Sequence, residues 1–258
     1  MIALLGLALV SAAYAAAVRR AGRWPVRRSL AFAAGLAVLA ASLAGGLDAA
    51  AARRLEAHMV QHLLITVLAA PLLVLGAPVQ LALRASRGAT RRVIARLLAT
   101  RAVRVLVHPA TGWCALTATM LVTHLTGVYD LALRNPLVHA AEHAAFLWSA
   151  LLFWLPLAGA APLPSRPGPF GRLLWILAAM PAMSAIAAWL GDAQTVRYEA
   201  YAHAQGTAAA LADQSSGAAV MAVGGTVPLA IAAVLLAMEA LWREEQRQRR
   251  REALEAAR

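Results

Sequence analysis

Apolar segments long enough to cross a membrane alternate with short polar segments along the whole chain. A helix of about 20 apolar residues crosses a hydrocarbon core of roughly 30 Å, and only helices and closed barrels satisfy their backbone hydrogen bonds there. The pattern therefore predicts an all-α membrane protein, a seven-transmembrane helix bundle. The predicted spans are residues 1–18, 29–47, 58–83, 105–127, 137–159, 173–191 and 214–242.

Composition agrees with a protein that lies mostly in the bilayer. The 258 residues are 61% hydrophobic and 14% charged, whereas a soluble domain is about half apolar and a quarter charged. Each polar segment between the predicted spans is short. We therefore expect one polytopic membrane domain over residues 1–258.

Arginine predicts the orientation of the bundle, because the chain contains no lysine. Alternate polar segments hold 20 of the 24 basic residues, and cytoplasmic segments carry the excess of positive charge in membrane proteins. We expect an amino terminus outside, a carboxyl terminus in the cytoplasm, and a location in the cytoplasmic membrane. The net charge of +12 follows from this topology and requires no nucleic acid as a partner. The arginine-rich segments are residues 19–28, 84–104, 160–172 and the basic tail 243–258. We expect the basic tail next to the anionic lipid of the bilayer.

Six of the seven histidines fall at the outer end of this predicted topology. Two pairs begin the third and fifth spans, and one histidine ends the fourth. His203 lies in an outer loop, where a histidine needs no special role, and His108 lies on the cytoplasmic side. The five at the ends of spans are His58, His62, His124, His139 and His143.

The spacing of these histidines favours a metal site. Residues four apart lie one above the other on a helix, so His58 and His62 can share one ion, as can His139 and His143. Imidazole suits zinc, copper, iron and nickel. Asp213, at the start of the seventh span, is a further candidate ligand, although an aspartate there can instead cap the helix.

Sulfur-containing residues indicate the metal more weakly. Met120 precedes His124 by one turn and Met221 lies in the seventh span. Thioethers favour Cu(I) over zinc, but methionine is also ordinary packing in a membrane helix. Cys114 is the only cysteine, so we interpret it as an apolar filler rather than a ligand.

Several motifs of the chain resemble the seven-helix assembly factors of caa3-type cytochrome c oxidase, the polytopic CtaG family. The matching stretches run from the third span to the seventh. They are "HMVQHLLITVLAAPLLVLGAP", "HPATGWCALTATMLVTHLTGVYDLALRNPLVHAAEHAAFLWSALLFWLPL" and "LADQSSGAAVM". The resemblance implies a factor that matures a haem–copper oxidase by helping copper reach the oxidase subunits on their outer side, with a possible copper donor protein as a second partner. It also implies that the metal residues are His58, His62, His124, His139, His143 and Asp213.

Three functions remain open at this point. The first is a metal-binding assembly factor that transfers copper without catalysis, for which we expect a shallow site open to the outer aqueous phase. The second is a membrane hydrolase in which histidine-bound zinc activates water, with Glu142 or Asp213 as base. Glu142 is adjacent to His143 and is expected to point elsewhere on the helix. The third is a haem protein with histidines from facing helices as axial ligands. The outer location of the histidines favours transfer.

Overall fold

The computed structural model of this protein describes residues 2–158 and 166–256. Every regular element in these residues is helical, as the sequence predicts. The first half of the chain forms α1 (Ile2–Ala21), α2 (Val26–Leu43), α3 (Gly46–Ala51), α4 (Leu55–Leu63), a π-helix (Leu64–Ala69), α5 (Ala70–Leu75), α6 (Pro78–Ala85), α7 (Gly88–Ala99) and α8 (Arg101–Leu106). The second half forms α9 (Pro109–Leu125), α10 (Val128–Arg134), α11 (Pro136–Ala158), α12 (Pro169–Gly191), α13 (Glu199–Gln205) and α14 (Thr207–Ala256).

Six helices in the described residues are long and apolar enough to cross a membrane. They match the predicted first, second, third, fifth, sixth and seventh spans. The predicted fourth span contains α9 and ends before α10 begins. α9 and α10 are bent by 75° relative to each other, and the number becomes seven if this pair is one span. The all-helical, apolar character of the chain is confirmed, while the count of seven and the orientation stay predictions.

The predicted third span contains a π-helix between α4 and α5. In this register the Ala70 N–H donates to the Ile65 carbonyl, so the next carbonyl, that of Thr66, faces Pro71, which has no N–H to donate. The indole Nε1 of Trp154 donates to the Thr66 carbonyl at 2.9 Å instead. Trp154 is therefore buried inside the bundle, whereas tryptophans near the ends of membrane spans are commonly interfacial anchors.

Close helix crossings bring the histidine-bearing elements together. α9 packs along α11, and α4 packs along α14. At the first crossing a Cβ on Gly112 would lie 2.5 Å from the Leu152 carbonyl oxygen, so only glycine permits this approach. The ends of α4, α9, α11 and α14 that carry the candidate residues consequently lie at one end of the bundle.

The last helix is longer than its predicted span. α14 starts seven residues before position 214 and continues as an exposed helix through residue 256 of the basic tail. Arg249 pairs with Glu245 one turn earlier, as i,i+4 pairs on solvent-exposed helices do. The tail is thus a solvated helical extension of the seventh span.

Candidate metal centre

The two histidine pairs lie against each other where α4 meets α11. The Nε2 atoms of His58 and His62 are 3.0 Å apart, and the ring centroids of His58 and His139 are 5.3 Å apart. The ring centroids of His139 and His143 are 4.3 Å apart, with the rings tilted relative to each other. For comparison, metal–nitrogen bonds of about 2.0 Å place two ligands of a tetrahedral ion roughly 3.3 Å apart. The four rings are therefore close enough to surround one ion or two neighbouring ions.

Glu142 joins this cluster, contrary to the expectation that it points away. Its carboxylate oxygens lie 3.7 Å from His58 Nε2 and 3.8 Å from His62 Nε2. Glu142 follows His139 by three residues, and positions three and four apart share a helix face. The three-residue spacing between His139 and Glu142 in "HAAEH" therefore predicts that Glu142 lies on the face of His139. The expectation that Glu142 points away considered only its adjacency to His143.

Two overlapping sets of ligand atoms result. His58, His139 and His143 each offer one nitrogen, and these atoms lie within 4.8 Å of one another. His58, His62 and Glu142 form a second set under the same limit. We call these five residues the His–Glu cluster. His58 is the one residue that belongs to both sets, and it lies at the centre of the cluster.

Hydrogen bonds fix the tautomer of His58. The Tyr201 hydroxyl donates to the Ala51 carbonyl at 3.0 Å, so its one proton is used. The contact of 3.0 Å between His58 Nδ1 and the Tyr201 oxygen therefore has the imidazole N–H as donor. Neutral His58 consequently presents an unprotonated Nε2 to the cluster. Metal-bound histidines characteristically donate their second ring N–H in this way.

A hydrogen bond also fixes the tautomer of His124, which lies at the side of the cluster. Its Nδ1 is 2.9 Å from the Met120 carbonyl, which can only accept, so Nε2 is the unprotonated atom. His124 is buried, and its ring is 6.3 Å from that of His62. The structure thus places His124 beside His62 and outside both sets of ligand atoms.

Unpartnered polar atoms make the centre a candidate ligand site. Buried polar groups in proteins almost always have hydrogen-bond partners, and a buried group without one is costly. Here several buried atoms at one end of the bundle lack a protein partner. They are His62 Nδ1, His124 Nε2, His139 Nε2, His143 Nε2 and both carboxylate oxygens of Glu142. These are the atoms that a bound cation would satisfy.

Asp213 lies at the start of α4 rather than in the cluster. Its carboxylate accepts from the backbone N–H of Leu55 at 2.6 Å and of Glu56 at 3.4 Å. It also accepts from the Gln205 amide at 3.1 Å. The carboxylate thus satisfies the free amides of α4, the element that carries His58, and its role as a metal ligand stays a prediction.

A layer of three tyrosines covers the cluster, which we call the tyrosine layer: Tyr129, Tyr198 and Tyr201. Tyr129 stacks on Tyr198 with ring centroids 4.1 Å apart, and it makes a tilted contact with His58, with ring centroids 4.8 Å apart. Tyr198 donates to the His124 carbonyl at 3.2 Å. Burial raises the pKa of the Tyr201 hydroxyl above its ordinary range, so the phenol stays a donor at neutral pH. Sequence reasoning gave these residues no role, since they lie in polar segments without a periodic pattern.

The tyrosine layer makes the centre deeper than expected. We expected a shallow site, but His58 is 0% and His62 is 5% exposed. α10 and α13 fold back over the ends of the spans, and the Ala200 N–H donates to Asp130 between them. Only His139 is half-buried, so this ring forms the accessible edge of the cluster.

The remaining candidates lie elsewhere. His203 is exposed on α13, and His108 is exposed where its Nδ1 accepts from the Ala110 N–H and caps α9. Cys114 is exposed on α9, away from the cluster. Met120 and Met221 are both buried and line a cavity beside His62.

Comparison of the sequence with known proteins finds relatives in three mycobacteria. Uncharacterized proteins of Mycobacterium bovis and of Mycobacterium tuberculosis are each 31% identical to the chain over 178 residues, which is 66% of the chain and 27% of their own length. A third, from Mycobacterium leprae, is 29% identical over 172 residues, 64% of the chain and 26% of its own. The chain therefore spans about a quarter of the length of these relatives. No solved structure matches it significantly.

The family model of the cytochrome c oxidase caa3 assembly factors (Caa3_CtaG) matches residues 12–243. This range includes every residue of the His–Glu cluster and of the tyrosine layer. The chain belongs to the family of cytochrome c oxidase caa3 assembly factors.

Proposed function

We propose that the chain binds copper at the His–Glu cluster and delivers it to cytochrome c oxidase. The observation that carries the proposal is the convergence of four histidines and one carboxylate at one end of the bundle. Imidazole binds copper well, and the family acts in assembling a copper-containing oxidase. The site lies at the end of the bundle opposite the arginine-rich segments, which supports delivery on the outer face of the cytoplasmic membrane.

The arrangement of the ligands suits transfer better than permanent storage. His58 belongs to both sets of ligand atoms, so an ion can exchange His62 and Glu142 for His139 and His143 without leaving His58. His139, the half-buried ring, then provides the point of entry and exit. A copper donor protein and an oxidase subunit would meet the cluster at this edge.

A zinc-dependent hydrolase is the second candidate, and Glu142 favours it. Its two buried oxygens lack protein partners close to His58 and His62, as a general base beside a histidine-bound zinc would. Against it, the tyrosine layer covers the cluster, and His58 and His62 are almost completely buried, which shields a metal between them from a substrate. The imidazoles of the facing helices α4 and α11 are packed together, with the ring centroids of His58 and His139 5.3 Å apart. This leaves no space for a porphyrin between them, which argues against haem.

Metal analysis tests the proposal. The full chain is purified in detergent, exposed to copper and zinc, and dialysed, alongside a variant with His58→Ala, His62→Ala, His139→Ala and His143→Ala. A variant with His108→Ala and His203→Ala is the matched control, because both residues are exposed and outside the cluster. We expect near-stoichiometric copper in the parent and the control and its loss in the folded cluster variant.

Other outcomes of the same measurement decide against copper transfer. Zinc that is retained in preference to copper, together with hydrolytic activity, would support the hydrolase. Equal and low metal content in the parent and the cluster variant would show that the histidines are structural. Size-exclusion profile and helical content establish that each variant is folded.

A further inference from the structure

A small cavity lies directly beneath the His–Glu cluster. It has a volume of about 30 Å³, enough for an ion or one or two water molecules. His62 and His124 line it together with side chains from α9, α12 and α14. The cavity therefore borders the cluster through His62 and extends away from it into the bundle.

Methionine dominates the polarisable lining of this cavity. Four of the seven methionines of the chain line it: Met59, Met120, Met183 and Met221. They come from four different helices, so no single helix face explains their convergence. A Cβ on Gly225 would overlap the Met183 Sδ, and Gly225 follows Met221 by one turn of α14. The absence of a side chain at Gly225 thus seats the Met183 thioether against the face that carries Met221.

Two imidazole nitrogens complete the lining. His124 is 2% exposed, donates through Nδ1 to a carbonyl, and has no partner for Nε2. His62 contacts His58 through Nε2, and its buried Nδ1 has no partner. Each ring therefore retains one nitrogen free of protein hydrogen bonds. Packing alone accounts for methionines in an apolar wall but not for these unpartnered atoms.

We propose that this cavity is a second, thioether-rich site that takes Cu(I), separate from the His–Glu cluster. Thioether and imidazole ligands are neutral, and the lining of the cavity contains no carboxylate. A divalent ion would keep its full charge in these apolar walls, whereas a soft monovalent ion is stabilised by sulfur. The cluster, in contrast, includes Glu142 and suits divalent ions as well. His62 borders both sites and can serve each with a different nitrogen.

The proposal rests on the proposed function only for the identity of the metal as copper. Its test uses the purified full chain titrated anaerobically with Cu(I) against a competing Cu(I) chelator, and X-ray absorption at the copper edge. The test variant carries Met120→Leu, Met183→Leu and Met221→Leu, since leucine for methionine nearly conserves volume. The control carries Met180→Leu and Met238→Leu, which change methionines outside the cavity.

We expect copper–sulfur scattering in the parent and the control, and its loss in the test variant with at least tenfold weaker Cu(I) binding. Zn²⁺ binding at the His–Glu cluster should not change in either variant. A parent spectrum with nitrogen and oxygen neighbours alone would overturn the proposal, and it requires no variant to fold. Unchanged Cu(I) affinity in the test variant would overturn it equally.

A fourth sample separates this proposal from the proposed function. Substitution of His58→Ala, His139→Ala and His143→Ala leaves every cavity residue in place. If this variant loses Zn²⁺ binding at the His–Glu cluster but retains copper–sulfur scattering, the result supports two separate sites. If copper–sulfur scattering persists in every sample except the methionine test variant while the parent binds no metal at the cluster, the cavity proposal stands and the cluster proposal fails.

Discussion

Asp213 illustrates how one side chain can support a site without joining it. Its carboxylate accepts hydrogen bonds from the Leu55 and Glu56 amides that α4 leaves free at its first turn, although Asp213 lies on α14. The bond to Gln205 connects the same carboxylate to α13. One residue thus joins the helix that carries His58 to the element that carries Tyr201.

Substitution of Asp213→Ala is expected to lower the free energy of unfolding by about 1–3 kcal/mol, because it leaves buried amides without an acceptor. Thermal unfolding in detergent measures this, with Asp192→Ala as the control, since Asp192 is exposed at the end of α12. We expect the number of bound metal ions to stay the same. A loss of one equivalent of metal at unchanged stability would instead identify Asp213 as a ligand.

The carbonyl of Thr66, inside the third span, likewise depends on a side chain from another helix. A proline in the third span removes one backbone donor, and the π-helix shifts the loss to Thr66, where Trp154 supplies the indole N–H. π-helical segments occur frequently at functional sites, and this one begins two residues after His62. The register of the third span beyond the cluster therefore depends on a side chain from the fifth span.

Substitution of Trp154→Phe should destabilise the protein by about 1–3 kcal/mol, because the aromatic ring remains while the Thr66 carbonyl loses its donor. The thermal midpoint of Trp148→Phe provides the control, since Trp148 is 65% exposed on the same helix. Equal midpoints for the two variants would show that Thr66 finds another donor.

At the scale of whole elements, the short helices α10 and α13 decide how open the centre is. They bring the tyrosine layer onto the histidines, and Tyr201 links α3, α4 and α13 through Ala51 and His58. A hydrogen bond to the second nitrogen of a metal-binding histidine orients the ring and raises its basicity. In the proposed function, the tyrosine layer would therefore act on a bound metal through His58.

Substitution of Tyr201→Phe is expected to weaken metal binding 10- to 100-fold, the usual effect of losing such a partner, and to speed metal release. Competition with a chromophoric chelator measures both. Tyr14→Phe is the matched control, because Tyr14 also donates to a backbone carbonyl, that of Gly76, but far from the cluster. An unchanged affinity would show that Tyr201 shields the site without orienting His58.

Helix pattern explains which of these features the sequence could predict. Apolar length is enough to predict six of the membrane-spanning helices, and i,i+4 spacing is enough to pair His58 with His62 and His139 with His143. The position of Glu142 was also accessible, through its spacing of three from His139. The tyrosine layer could not be predicted, because α10 and α13 are short. Their packing over the cluster is set by tertiary contacts rather than by a periodic pattern of apolar residues. The same holds for the methionine-lined cavity, whose four sulfur atoms come from separate helices.

At the scale of the molecule, charge and chemistry divide the bundle into two ends. The segment that carries α7 and α8 holds seven arginines, and the histidines lie at the other ends of the spans. Positive charge is retained on the cytoplasmic side of membranes, so we expect the His–Glu cluster on the outer side, where the copper of the proposed function would be received. The basic helical tail of α14 would then lie on the inner side, near anionic lipid.

Cysteine labelling in intact cells tests this orientation. In a Cys114→Ala background, His203→Cys places a thiol on exposed α13 at the histidine end, and Thr90→Cys places one on exposed α7 at the arginine-rich end. We expect a membrane-impermeant maleimide to label the first in intact cells and the second only after permeabilisation. The reverse pattern would put the His–Glu cluster in the cytoplasm, where delivery to the outer side of the oxidase is impossible. The two thiols control for each other, because each must react fully once the membrane is opened.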